Sequence, residues 1–149
     1  MDGGRRLHLH HGPIDVVVEA WGASQEVTAA YGQAAAAFAP LLDGLVAELP
    51  LLRQAVGDRR LPLQGPVARR MAAAVWPHRG RFVTPMAAVA GAVADHLLGC
   101  LLRGRCLTRA YVNDGGDIAL WLARGEALAL GVVAEIAHPR IDGTVRIRY

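Results

Sequence analysis

The hydrophobic pattern in the first third of the chain predicts a hairpin followed by a helix. Leu7 to His11 and the valine-rich run Ile14 to Trp21 flank a Gly12-Pro13 turn, which is typical of two antiparallel strands. The alanine-rich run Gln25 to Phe38 then predicts a helix. We expect Ser24 to be its N-cap, because a serine hydroxyl can accept a hydrogen bond from a free N–H group of the first turn.

Further helices are predicted in the middle of the chain. Apolar residues from Leu41 to Leu49 recur at helical spacing, and Pro66 to Trp76 forms a short helix that ends before Pro77. The most clearly marked helix runs from Pro85 to about Arg103, with Thr84 as its N-cap. Because the first half of this helix consists almost entirely of small residues, we expect another element or a ligand to approach its surface closely.

The pattern changes to that of strands after this helix. Ala110 to Val112, Ile118 to Leu122 and Leu128 to Val133 are short strand-like runs separated by turn residues, and Thr144 to Tyr149 alternates apolar and polar positions. We expect the last strand to be an edge strand or the point at which a longer chain is cut. Together the elements predict one α+β domain over residues 1–149, with helices packed on an antiparallel sheet.

Composition excludes several classes of function. All 16 basic residues are arginine, so Schiff-base catalysis and a P-loop lysine are excluded. The formal net charge is +3, and the arginines occur as scattered pairs such as Arg59–Arg60 and Arg69–Arg70. A nucleic-acid-binding protein is expected to concentrate its basic residues in one stripe. We therefore expect solvated arginines and no nucleic-acid partner.

The chain is expected to be soluble and cytoplasmic. Its N-terminal segment lacks the apolar core of a signal peptide, and the longest apolar stretch, Pro85 to Leu102, is interrupted by Asp95 and His96. We therefore expect no membrane association. Cys100 and Cys106 are too few for a disulfide scaffold and are typical of a reducing compartment.

Two segments carry candidate chemistry. The helix that begins at Pro85 offers free backbone N–H groups and a dipole that favour an anion such as a phosphate. The segment Tyr111 to Ile118 contains Asn-Asp-Gly-Gly-Asp, whose glycines allow close approach to the backbone. Taken alone, the helix is better explained as an ordinary packed core helix, and the glycine segment as an ordinary hairpin turn. Their occurrence together, in this order, indicates a ligand site.

On these two motifs the chain resembles the ApbE-like superfamily, whose best-known member is the FAD:protein FMN transferase. It looks most similar to the uncharacterised UPF-type branch, the thiamine biosynthesis ApbE-like proteins. In that branch a Pro-Met-Ala-Ala-Val-Ala-Gly-Ala helix precedes an Asn-Gly-Gly-Asp type turn, and here these motifs are Pro85 to Ala92 and Asn113 to Asp117. The resemblance covers essentially the whole chain and implies an ApbE-like fold that lacks the C-terminal part of the family.

The resemblance implies a bacterial protein with a flavin or nucleotide pocket, FAD or FMN and Mg²⁺ as cofactors, and chemistry of the FMN-transfer type. It implies that the backbone carbonyl of Ala87 helps to hold the metal, and that Ala90 replaces the lysine of the transferase. It also implies that Asp117 bonds a ribose hydroxyl or braces the turn. The implied cofactor-binding residues are Thr84, Pro85, Met86, Ala88, Gly91, Asn113, Asp114, Gly115, Gly116 and Asp117.

The alternative is a non-catalytic scaffold or assembly protein that kept the fold and lost the active site. Ala90 and the early end of the chain favour this interpretation. An open strand edge at Val145 to Tyr149 would pair with another chain, so we predict a homodimer.

A metal site on the first strand is a weaker candidate. His8 and His10 share one face of the predicted strand and are residue types that bind metals. An exposed polar strand face explains them more simply. Asp95 and His96 are adjacent in the predicted helix and so do not face each other, which disfavours acid–base chemistry.

Overall fold

The computed structural model, which describes residues 6–135 and 137–149, is α+β as predicted. Residues 1–5, part of the segment judged to lack signal-peptide character, lie outside the described residues. The helices are α1 (Ser24–Phe38), α2 (Leu41–Ala47), α3 (Leu49–Leu52), α4 (Pro66–Val75) and α5 (Val89–Leu102). The strands are β1 (Leu7–His11), β2 (Ile14–Gly22), β3 (Leu107–Asp114), β4 (Asp117–Leu122), β5 (Ala127–Val132) and β6 (Gly143–Arg148).

The strands form two antiparallel sheets. β1 to β4 pair in chain order, whereas β5 and β6 pair only with each other. The central pairing of β2 with β3 joins strands that are separated in the chain by all the helices: Val18 faces Val112, and Glu19 faces Tyr111. The ends of β3 and β4 meet at Asp114 and Asp117, which face each other across the connecting turn.

The helices cover one face of the four-stranded sheet. Successive side chains of a strand point to opposite faces, so Val16 and Val18 of β2 lie on the same face as Val112 of β3, and all three are fully buried. Helix α5 packs on β3 and β4, and its Val93 and Leu97 belong to the same core. This packing fixes the start of α5 beside the first residues of β4.

The segment Pro85–Leu102 has 18 residues and a mean hydropathy of 1.5, which is long and apolar enough to cross a membrane by length and composition alone. The core helix of a soluble protein has the same properties. Within this fold 33% of the segment is buried, and α5 packs against the sheet, α1 and α4. The segment therefore contributes the helix that packs on the four-stranded sheet.

Several local predictions are corrected. Helix α1 begins at Ser24 itself, with Ala23 at the N-cap position and no side-chain cap, so the capping role predicted for Ser24 is wrong. The Leu41 to Leu49 helix is divided into α2 and α3, since Pro50 has no N–H group to continue the hydrogen bonds of α2. The predicted helix from Pro85 begins as a 3₁₀ turn over Pro85–Ala88.

Candidate functional site

The small-residue motif divides between the core and the surface of the protein. Pro85 is fully buried, and Met86 packs against the hydrophobic core. Thr84 makes no side-chain cap, and its carbonyl accepts a hydrogen bond from the N–H group of Ala87, which itself is exposed. Met86 and Val89 line a second, apolar cavity, whereas Ala88, Gly91 and Ala92 line the cavity described next. The first residues of the motif are therefore structural anchors of the helix.

The glycine motif forms the hairpin turn between β3 and β4. The side-chain oxygen of Asn113 accepts a hydrogen bond of 2.9 Å from the N–H group of Gly116. Gly115 and Gly116 have φ angles of 60° and 108°, a region that disfavours other residues. Asn113, Gly115 and Gly116 therefore shape an ordinary hairpin turn, and this shape delivers Asp117 to the start of β4.

The two motifs meet at Gly91 and Asp117. A Cβ atom built on Gly91 would lie 3.7 Å from Oδ2 of Asp117, in ordinary van der Waals contact. A cavity of about 360 Å³ opens beside them between α4, the first half of α5 and the start of β4. We call it the Asp117 pocket; it is lined by Arg70, Ala74, Ala88, Gly91, Ala92, Asp95, Asp117, Ile118 and Ala119.

The Asp117 pocket carries charges of both signs. Nη1 of Arg70 donates a hydrogen bond of 3.2 Å to Oδ2 of Asp95, and both side chains are about half exposed at 48% and 53%. Such an exposed pair contributes little to stability, so a ligand anion can compete for Arg70. Asp117 is exposed and makes no ion pair with another described residue. The pocket thus offers one cation, carboxylate acceptors and a floor of alanine and glycine.

Asp114 lies next to the pocket but is turned into the fold. It is 8% exposed and faces Val16 on β2. Burial raises the pKa of the Asp114 carboxyl, and the negative charge of Asp117 raises it further. Asp114 therefore does not line the cavity, although its buried carboxyl lies close enough to Asp117 to be affected by that charge.

Of the implied site residues, the structure brings together Ala88, Gly91 and Asp117. The others lie in the core, in the turn or beside it, as described above. Arg70 was not predicted as a site residue. The sequence shows only that it lies on a helix, one residue after Arg69. Adjacent helical positions point about 100° apart, so the two arginines of this pair face different cavities.

Among the residues that the structure describes, no group of three or more His, Cys, Asp or Glu side chains is placed to hold a metal ion. His8 contacts the carboxylate of Asp15 on the neighbouring strand, and both side chains are exposed. The metal-binding role of the Ala87 carbonyl stays a prediction, and His8 has a carboxylate partner within the sheet.

A second polar cluster on the sheet was also missed. Glu19 is 7% exposed, and its Oε2 accepts hydrogen bonds from the Tyr111 hydroxyl at 2.8 Å and from Nε of Arg6 at 3.0 Å. Burial and the bond to Glu19 raise the pKa of Tyr111 to about 12. A glutamate within a valine-rich strand could have drawn attention to Glu19 from the sequence. Its partner Tyr111 could not have been identified without the register of β2 with β3.

Comparison with known proteins gives one family match. The family model described as "AbpE bacteria" matches residues 1–149, the whole chain. This is a different family from the ApbE-like superfamily, and no link to flavin transferases is shown, so the resemblance stated from the two motifs was wrong. No curated protein matches the chain.

Proposed function

We propose that this chain, which belongs to the AbpE bacteria family, binds a small phosphorylated ligand with sugar-like hydroxyl groups, of the nucleotide class, in the Asp117 pocket. The observation that carries the proposal is the meeting of Gly91 with Asp117 at a cavity that also holds Arg70. The volume of about 360 Å³ lies within the range of about 300–1,000 Å³ that is usual for small-molecule pockets.

Each polar group of the pocket suits one part of such a ligand. The guanidinium of Arg70 matches a phosphate, to which it can donate paired hydrogen bonds. The carboxylates of Asp95 and Asp117 accept hydrogen bonds from hydroxyl groups, as a ribose or ribityl chain offers them. Gly91 keeps the helix surface low beside Asp117, because any larger side chain would project toward its carboxylate. Flavin nucleotides belong to this ligand class.

We do not propose a transfer reaction for this protein. FMN transfer with Mg²⁺ was implied only by the ApbE-like resemblance, which the family match overturns. The described residues supply binding groups to the Asp117 pocket but no activated nucleophile. We further propose that the protein works in the cytoplasm, where its free cysteines Cys100 and Cys106 stay reduced.

Titration of the purified protein tests the binding function. FMN, FAD and ADP are added with and without Mg²⁺, and binding is followed by flavin fluorescence or by calorimetry. We expect saturable binding that weakens at least about tenfold in Asp117→Ala, which loses a charged hydrogen-bond acceptor. Asp43→Ala serves as the control, since Asp43 is exposed on α2 and does not line the pocket. Absence of saturation in folded protein, or equal loss in both variants, would contradict the proposal.

The second candidate function is assembly, and the β5–β6 sheet favours it. Ile141, Val145 and Tyr149 on and beside this hairpin are 73%, 51% and 77% exposed. Exposed apolar side chains next to an open strand edge are typical of surfaces that pair with another chain. Light scattering over a concentration series tests this candidate. We expect a dimer that dissociates in Val145→Asp, and a monomer at every concentration would contradict it.

A further inference from the structure

The arginines are distributed unevenly along the chain. Between residues 53 and 81 there are seven of the 16 arginines but only one acidic residue, Asp58, which gives this stretch a net charge of +6. The remaining residues therefore carry a net charge of −3, since the whole chain carries +3. Within this stretch only Arg70 forms an ion pair with a described carboxylate. The arginines without such a pair are Arg53, Arg59, Arg60, Arg69, Arg79 and Arg81.

The fold places two of these arginines against one aromatic ring. The N–H group of Val56 donates a hydrogen bond of 2.8 Å to the carbonyl of Val83, which joins the loop before α4 to the loop after it. The guanidinium carbons of Arg60 and Arg79 lie 4.7 and 4.8 Å from the ring centroid of Trp76. Cation–π contacts of this kind hold both charges in place without neutralising them.

An apolar slot opens beside this ring. Its volume is about 170 Å³, its walls include Leu61, Leu63 and Trp76, and the side chains of Arg60 and Arg69 also line it. Phe82, in the loop that follows Arg79 and Arg81, is 87% exposed. Nucleic acids are bound by surfaces of this kind, because flat apolar groups stack on the bases while arginines without carboxylate partners contact the phosphates.

We propose that the Trp76 surface, defined by Arg60, Arg69, Arg79, Trp76 and Phe82, binds single-stranded nucleic acid. An unpaired base enters the slot or stacks on Phe82, and the arginines contact the adjacent phosphates. A duplex would offer only its phosphates, because its bases are stacked inside. This inference replaces the expectation of no nucleic-acid partner. It is independent of the proposed function, because the slot beside Trp76 and the Asp117 pocket are two different cavities.

The test measures the binding of a fluorescein-labelled oligothymidylate of about 15 nucleotides by fluorescence anisotropy, at about 50 and about 200 mM NaCl. We expect saturable binding that weakens with salt and that exceeds the binding of a duplex of equal length. In the double variant Arg60→Gln/Arg79→Gln we expect binding to weaken about tenfold, with a salt slope smaller by about 1.4, because single strands lose about 0.7 per phosphate contact. Phe82→Ala should weaken binding at least about fivefold and leave the salt slope unchanged.

The matched control is Arg146→Gln/Arg148→Gln. Both residues are exposed on β6, and the substitution removes the same charge. We expect less than a twofold effect. An equal loss in the control would overturn the proposal in favour of unspecific charge attraction. Binding to phosphatidylglycerol vesicles without binding to the oligonucleotide would overturn it in favour of a membrane surface. Phe82→Ala decides the case if the double variant does not fold, since Phe82 contributes little buried area.

Discussion

The hydroxyl of Tyr111 donates a hydrogen bond of 2.8 Å to Oε2 of Glu19, directly across the pairing of β2 with β3. The two residues are 92 positions apart in the chain. Glu19 is almost fully buried, and it keeps its charge satisfied because Arg6 donates to the same oxygen. A buried carboxylate without such partners would be strongly destabilising. The hydrogen bond between Tyr111 and Glu19 is therefore expected to stabilise the pairing of β2 with β3.

Replacement of Glu19 by alanine is expected to lower the free energy of unfolding by about 1–3 kcal/mol, because the Tyr111 hydroxyl loses its acceptor. Tyr111→Phe should lower it by only about 0.5–1.5 kcal/mol, the usual net contribution of one hydrogen bond. Urea unfolding followed by circular dichroism measures both values. Asp58→Ala, at an exposed loop position, is the control and should change stability little. A Glu19→Ala protein as stable as the control would show that the cluster does not hold the strands together.

The raised pKa of Tyr111 predicts a late step in the alkaline titration. The fold favours the protonated phenol, so its contribution to stability is fully present below the unfolded-state pKa of about 10 and is lost as the pH rises through about 12. Absorbance of tyrosinate at 295 nm should show a step near pH 12. The step should disappear in Tyr111→Phe and persist in Tyr149→Phe, the exposed comparison. Its persistence in Tyr111→Phe would assign it to another tyrosine.

Substitutions at two glycines of α5 distinguish an effect on protein stability from an effect on ligand binding. Gly91→Ala and Gly99→Ala should each raise the free energy of unfolding by about 0.5–1 kcal/mol, since alanine favours the helix. The new methyl group meets only ordinary contact at Gly91 and nothing within 4 Å at Gly99. Gly91→Ala alone should weaken ligand binding, because its methyl group narrows the Asp117 pocket. Thermal melting and the flavin titration measure the two effects, and unchanged binding in Gly91→Ala would place the ligand elsewhere.

Asp114 predicts a stabilising substitution. Its raised pKa means that the fold disfavours the charged carboxylate, so the penalty is absent below the unfolded-state value of about 3.8 and is fully present at neutral pH. Asp114→Asn should therefore raise the melting temperature at pH 7, and the gain should shrink as the pH falls toward 3. Asp117→Asn, at the facing position, is the comparison, because it removes the neighbouring charge without relieving burial. A lower melting temperature of Asp114→Asn at pH 7 would show that its own hydrogen bonding outweighs the charge penalty.

Predictions from local pattern succeeded where the signal lies within one element. The hairpin at Gly12, the alanine-rich helix and the change to strands after α5 were all recognised, because hydrophobic period and turn residues act over a few positions. Caps and element ends were predicted less well: Ser24 does not cap α1, because the helix begins at Ser24 itself and Ala23 holds the N-cap position. The carboxylate of Glu26, in the first turn, accepts a hydrogen bond of 2.7 Å from the N–H group of Cys106. That bond depends on a loop far away in the chain.

The sequence by itself determined the α+β class, the positions of most helices and strands, and the two motifs that meet at the Asp117 pocket. The tertiary structure alone decided that Gly91 lies beside Asp117, that Glu19 pairs with Tyr111, and that Arg69 and Arg70 face different cavities. It also placed Arg60 and Arg79 on the same ring. The physical reason is that periodicity reports only the face on which a side chain lies. Which residue it meets there depends on the register of β2 with β3 and on how α4 and α5 pack against the sheet.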